Sequence, residues 1–284
     1  MINKLKGSSE TIRKTSFNFD AYLSVKPNHI LNVNKHFLCW FIGFTEGDGC
    51  FHVDNNNHRN YFLISQKDPK ALYYIKKMLG FGIVYKKEIS YQYYVSDQIN
   101  IDILIKIFNG NLQLNKTKQR LSLWFNEYNS YTKIKNKSLL NSNIINKISL
   151  TNSWISGFID AEGCFTASLR KDPRYKSGYK LVLRFILDQK FEKETLLYIG
   201  VLFGKNQIAD RKELKDMHRL IIYSNFELLL NYLSNFPLKT TKKISFLRWK
   251  RLFFYTKQEN LYSVVNNPKA FIKLQTLIKS LNNF

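Results

Sequence analysis

Two stretches of this chain repeat one pattern of small, acidic and aromatic residues. Residues 40–51 read WFIGFTEGDGCF and residues 154–165 read WISGFIDAEGCF, sharing W-x-x-G-F-x-[DE]-x-[DE]-G-C-F without a gap. With ordinary glycine and acid usage, the skeleton G-x-x-[DE]-x-[DE]-G should turn up at roughly 1 in 10⁴ positions. Two copies with matching aromatics therefore mark an internal duplication. In each copy the small residues, Gly43 and Gly47 or Gly157 and Ala161, lie four apart on one helix face. Glycine inside a helix costs about 1 kcal/mol against alanine. Close approach of a second helix backbone is a compensating reason to keep it. The last acid, Asp48 or Glu162, then falls at a helix C-terminus, where the dipole disfavours a carboxylate. Two such helices packed in parallel would bring repelling carboxylates together, and divalent cations resolve that conflict. Mg²⁺ takes a few carboxylate oxygens and completes its shell with water and phosphate oxygens. Two metals beside a phosphodiester can generate hydroxide and stabilise the leaving oxygen. The earlier acids, Glu46 and Asp160, are read as serving helix ends or an interface. Trp40, Trp154, Phe44, Phe158, Cys50 and Cys164 are read as core.

The elements that position these acids repeat as well. FLISQK (62–67) resembles FILDQK (185–190), and NLQLNK (111–116) resembles PLKTTK (237–242), with Trp124 and Trp249 following. Glu162 lies 114 residues after Asp48, Gln189 lies 123 after Gln66, and Lys242 lies 126 after Lys116. The extra residues of the second copy fall in RKDPRYKSG, where a longer hairpin loop is expected. Each half reads as a motif helix (36–48, 150–162), two strands (50–56 with 60–67, 164–171 with 179–188) and a short helix (69–79, 191–203). Two more strands follow (near 82–97 and 206–224), then a helix (100–108, 225–235) and a lysine-rich helix (117–130, 241–256). The expected organisation is a leader over 1–36, a first half over 37–130, a linker over 131–149, a second half over 150–256 and a tail over 257–284.

Charge names the partner class. Lys and Arg number 44 against 21 Asp and Glu, a net charge of +23 spread along the chain. So large an excess is most simply balanced by a polyanion. No apolar run approaches the roughly 18–20 residues that span a bilayer, so no membrane partner is expected. Three cysteines without CxxC spacing argue against a disulfide framework or a zinc site. Abundant Asn, Lys, Ile, Phe and Tyr suit an AT-rich organelle genome.

The nonapeptides FIGFTEGDG (41–49) and ISGFIDAEG (155–163) resemble the LAGLIDADG motif, and the likeness extends over about residues 37–256. The resemblance is to the double-motif, single-chain members encoded in group I introns of organelles. It implies an α+β fold of two pseudo-twofold-related αββαββα halves. Their motif helices would pair at the interface, and their antiparallel strands would form a saddle-shaped surface for DNA. It implies a monomer that cuts a long, asymmetric double-stranded DNA site with Mg²⁺ or Mn²⁺, hydrolysing one phosphodiester on each strand. The implied localisation is mitochondrial, with the chloroplast as alternative. Asp48 and Glu162 would hold metal with the carbonyls of Gly47 and Ala161. Gln66 and Gln189 would order water. Lys116 and Lys242 would stabilise phosphate charge, with Lys118 a competitor for Lys116. A curved ribbon laid in the major groove would contact DNA through His52, Arg59, Lys86, Lys87, Tyr91 and Tyr93. The second half would use Arg170, Lys171, Arg174, Lys180, Arg184, Arg211, Lys212 and Arg219. Tyr61 and Gln92 lie in the same stretches. The rival reading on the same scaffold is an RNA maturase that binds group I intron RNA.

Overall fold

The computed structural model describes residues 17–54, 59–131, 148–205, 208–211, 214–256 and 258–283. The chain divides into two units, Met1–Trp154 and Ile155–Phe284. In the first, a short helix α1 (Asp20–Leu23) precedes the motif helix α2 (Lys35–Asp48), then strands β1 (Gly49–Asp54) and β2 (Arg59–Gln66). Helix α3 (Lys70–Leu79), strands β3 (Ile83–Lys87) and β4 (Ser90–Val95), and helices α4 (Gln98–Phe108) and α5 (Asn115–Tyr131) complete it. The second motif helix α6 (Trp154–Glu162) leads into β5 (Cys164–Lys171) and β6 (Tyr179–Lys190). Helix α7 (Lys193–Leu202), β7 (Ala209–Asp210), β8 (Met217–Ile222), α8 (Glu227–Asn235) and α9 (Lys242–Phe254) follow. Two further helices, α10 (Gln258–Val265) and α11 (Pro268–Lys279), end the unit.

Each unit holds a four-stranded antiparallel sheet of the same order, β1-β2-β4-β3 and β5-β6-β8-β7. Strand alternation sorts the side chains. In β6 the residues Leu181, Leu183, Phe185, Leu187 and Gln189 are all buried and their neighbours are not. Helices cover the buried face. Trp124 of α5 donates its indole N–H to the His52 carbonyl at 3.0 Å, and Trp249 of α9 donates to the Thr166 carbonyl at 3.1 Å. These are equivalent bonds in the two copies. The longer second copy extends the strands β5 and β6 as well as the turn between them.

The glycine that closes each motif has a steric reason. Helix passes directly into strand there, and Gly49 donates its N–H to the Thr45 carbonyl. A Cβ on Gly49 would lie 2.6 Å from the Thr45 oxygen, and one on Gly163 2.8 Å from the Ile159 oxygen. Gly82 is tighter still: its φ is +83°, and a Cβ would fall 2.4 Å from the Tyr93 ring. Gly82→Ala is therefore expected to lower stability by about 2–4 kcal/mol, from left-handed strain plus overpacking. Urea unfolding checks this, and an unchanged midpoint would refute the tight packing.

Two expected boundaries shift. Residues expected as leader are packed on the first unit: Phe19 and Tyr22 are buried, and Asn18 and Asn111 exchange hydrogen bonds. His29 lies where a Gly80 side chain would stand. The expected tail likewise belongs to the second unit, with Leu261, Leu274 and Leu281 buried and Asn282 donating to the Phe165 carbonyl at 3.0 Å. Residues 132–147, most of the expected linker, lie outside the described residues, as does Lys212.

Candidate active site and nucleic-acid face

Asp48 is the last residue of α2, half-buried, and its Oδ2 accepts from Gln66 Nε2 at 2.7 Å. Gln66 reaches it because β2 runs antiparallel to β1 and ends beside the end of the motif helix. This contact places the Gln66 side chain at the end of the motif helix. Glu162 occupies the equivalent end of α6 and is half-buried. Gln189, equivalent to Gln66 in register, is 3% exposed on β6 opposite His218. Lys242, the first residue of α9, turns its ammonium back onto the carbonyls of Ala161 and Ile159. The end of the second motif helix therefore already accepts a cation, as its dipole favours. Lys116 sits in the first turn of α5, the equivalent place in the first unit.

What places those lysine-bearing helices is the first acid of each motif. Glu46, 2% exposed, accepts the backbone N–H groups of Gln113 at 2.7 Å and Leu114 at 2.6 Å on one oxygen. Its other oxygen accepts the Trp154 indole N–H at 2.6 Å. Asp160, also 2% exposed, accepts the N–H groups of Lys239 at 2.7 Å and Thr240 at 3.0 Å and the Thr240 hydroxyl at 2.6 Å. These acids tie the entry of α5 and of α9 to the motif helix, so the following lysines start from a fixed point. Position along the sequence suggested a helix-end role. Which helix end was invisible, because the bonded partners are 67 to 80 residues away.

Burial lifts the Glu46 carboxyl from 4.5 to about 8, against the pull of the Leu114, Gln113 and Trp154 donors and the Lys118 charge. A folded-state value above the unfolded one means that ionisation favours the unfolded chain. The Glu46 contribution is therefore most favourable below about pH 4.5 and declines as pH rises towards 8. Relative to Glu46→Gln, wild-type stability should fall across that window, as read by urea midpoints at several pH values. Parallel profiles would disprove the shift.

The open faces of the sheets follow from the registers. On the first sheet, the neighbours His52 with Tyr61, Leu63 with Tyr94 and Ile83, and Ser65 with Gln92 and Tyr85 share the face away from the helices. Arg59 and Lys87 lie on that face too. Tyr93 does not. It was expected at the nucleic-acid surface, but it is 0% exposed and donates its hydroxyl to the Phe81 carbonyl at 3.1 Å. Strand parity places it with Val95 in the core. Tyr91 and Lys86 pair with one another on that same inward parity, at the end of the hairpin. The aromatic face residues that sequence reasoning missed are Tyr85 and Tyr94, with ring centroids 6.3 Å apart. Counting alternation outward from the buried Phe62 through the strand pairings would find them, but that needs the register.

On the second sheet, Arg170, Lys180, Arg184, Arg211 and Arg219 fall on the open side, together with Lys190. Asp188 stands among them and accepts from Arg219 Nε and Nη2, at 2.7 and 2.6 Å. Lys171 has the inward parity at an exposed strand end. Arg174 lies in the β5–β6 turn, bonded to Asp172, whose carboxyl it holds below the usual range.

A family model described as LAGLIDADG endonuclease matches residues 41–137 and again 155–253. The chain belongs to the LAGLIDADG endonuclease family. It is a double-motif member, since the two matches fall one on each unit. A Neurospora crassa protein named as a probable intron-encoded endonuclease is 36% identical over 223 residues, covering 76% of this chain and 40% of that protein. The chain thus spans well under half the length of that relative. An intron-encoded RNA maturase of Saccharomyces cerevisiae is 26% identical, covering 93% of this chain and 40% of that protein. Among solved structures, the LAGLIDADG meganuclease I-AabMI bound to uncleaved DNA is 21% identical, covering 87% of this chain and 99% of that one with a TM-score of 0.64. That likeness establishes a shared LAGLIDADG fold. No described helix is long and apolar enough to cross a membrane.

Proposed function

We propose that this LAGLIDADG chain is a site-specific double-strand DNA endonuclease of the intron-homing kind, hydrolysing one phosphodiester on each strand. The observation that carries the proposal is the duplicated motif end, an acid at the close of each motif helix with a polar group of the same half drawn to that helix end. In the first copy Gln66 donates to Asp48 at 2.7 Å. In the second Lys242 donates to the carbonyl of Ala161, the residue before Glu162.

Asp48 and Glu162 are the metal carboxylates in this reading, joined by the Gly47 and Ala161 carbonyls. The donors fit Mg²⁺ or Mn²⁺: hard oxygens, few carboxylates, and helix ends whose dipole favours a cation. A bound divalent ion would supply Lewis acidity and a water of lowered pKa. The chain's own groups do the rest. Gln66 fixes the rotamer of Asp48, and Gln189 is assigned the equivalent position in the second copy. Lys116 and Lys242 supply positive charge where a phosphate gains charge in the transition state. Glu46 and Asp160 hold the helices that carry those lysines.

The partner is a long, asymmetric duplex bound by a monomer, because both motifs belong to one chain. Relatives named for cox1 introns support a mitochondrial origin. The yeast maturase, aligned over 93% of this chain, supports a second reading as a group I intron RNA cofactor. Incubation with intronless target DNA and Mg²⁺, beside a binding assay with the intron RNA, separates the two. Cutting of the DNA supports the endonuclease. Intact DNA with tight RNA binding would reverse the assignment.

A further inference from the structure

On the open face of the first sheet, one polar side chain is pinned from both sides. Gln92 lies on β4, directly between Ser65 of β2 and Tyr85 of β3. Its Nε2 donates to Ser65 Oγ at 3.1 Å, and its Oε1 accepts from the Tyr85 hydroxyl at 2.7 Å. Both bonds run sideways along the sheet, towards the neighbouring strands. A glutamine amide has two N–H donors and two acceptor lone pairs. One N–H and one lone pair of the amide are therefore left. Both hydroxyls can donate or accept, so the same complement remains whichever way round the amide lies. The adjoining row on one side is apolar and aromatic, formed by Leu63, Tyr94 and Ile83, and the row on the other side carries Ser90 and Lys87.

An adjacent donor and acceptor in one plane match adenine, which presents N7 as acceptor and N6 as donor in the major groove. Guanine offers two acceptors at that edge and is refused by the same amide. We propose that Gln92 is a specificity-determining residue that selects one A·T pair in the duplex contacted by the first half, pre-oriented by Ser65 and Tyr85. Pre-orientation matters because an amide held before binding loses no rotamer freedom when the base arrives. The major groove of A-form RNA is too deep and narrow for such a reading, so the ligand is B-form DNA. The inference rests on the endonuclease reading above and adds the residue-to-base assignment.

The test is a selection from a randomised duplex pool with the full chain in EDTA, which holds the strands intact, followed by sequencing. Wild type should enrich a site with one A·T pair that is invariant. Gln92→Ala should lose roughly ten- to a hundred-fold discrimination at that pair and leave every other position unchanged. Gln92→Arg should move the preference there to G·C, a gain that misfolding cannot imitate. Removing both supports, Ser65→Ala with Tyr85→Phe, should keep adenine but weaken its preference. An enriched site that neither Gln92 variant alters overturns the assignment and leaves the endonuclease reading standing. If wild type enriches no sequence at all, the endonuclease reading fails and the assignment falls with it.

Discussion

Replacing Asp48 by Asn, or Glu162 by Gln, should slow double-strand cleavage by about a thousandfold while duplex affinity changes only a few fold. Each substitution keeps the shape of the side chain and removes its charge, so in the proposed reading it weakens a metal donor without opening a cavity. The amide introduced by Asp48→Asn still offers an oxygen to the Gln66 Nε2, which donates to Asp48 at 2.7 Å, and the end of the motif helix should hold its form. In the proposed reading the phosphate contacts that give affinity lie elsewhere, on the basic sheet faces. The two copies also differ, one carrying aspartate and the other the longer glutamate. Single-turnover cleavage of a duplex labelled on both strands should therefore show unequal rates for the two cuts in wild type. Unimpaired cleavage by either variant would remove that carboxylate from the chemistry.

The second large effect is electrostatic and is expected to be lopsided. Among the described strand residues, the open face of the first sheet carries Arg59 and Lys87, whereas that of the second carries Arg170, Lys180, Arg184, Lys190 and Arg219. Each phosphate contact adds about 0.9 to the slope of log K against log salt, through release of condensed counterions. Replacing Arg170, Lys180 and Arg184 together by alanine should flatten that slope by about 2.7, while replacing Arg59 and Lys87 should flatten it by about 1.8. Arg219 is left intact because Asp188 neutralises it across two short bonds. Titrations from low to high salt by fluorescence anisotropy measure both slopes. An unchanged slope in the triple variant would remove the second sheet from phosphate binding.

Much of the site was legible before any coordinates. The duplicated motif marked Asp48 and Glu162 as an equivalent pair, and the growing offset between copies located the longer β5–β6 hairpin. Gln66 could be assigned by its place after FLIS, and the structure brings it to Asp48. The failures share one cause. Polarity and aromaticity put Tyr93 at the surface, where the structure buries it. They put Tyr91 and the exposed Lys86 on the open face, whereas their parity is the other one, because a strand puts alternate residues on opposite faces. Which parity faces inward depends on the pairing of β4 with β2 and β3, a register set by residues far along the chain. The same ignorance of register hid Tyr85 and Tyr94. The packing of Phe19, Tyr22, Leu261 and Leu274 was not legible because neither end of the chain repeats, and repetition is the signal for membership of the fold.

The amino-acid sequence by itself therefore determined the duplication, the order of elements in each half, the acids that end the motif helices, and the large positive charge. Those properties are written in local spacing, residue type and summed charge. Only the tertiary structure decided what Glu46 and Asp160 do, that Gln92 is held between Ser65 and Tyr85, and which tyrosines face outward. Each of these depends on hydrogen bonds or strand pairings between residues distant along the chain, and no local pattern encodes them.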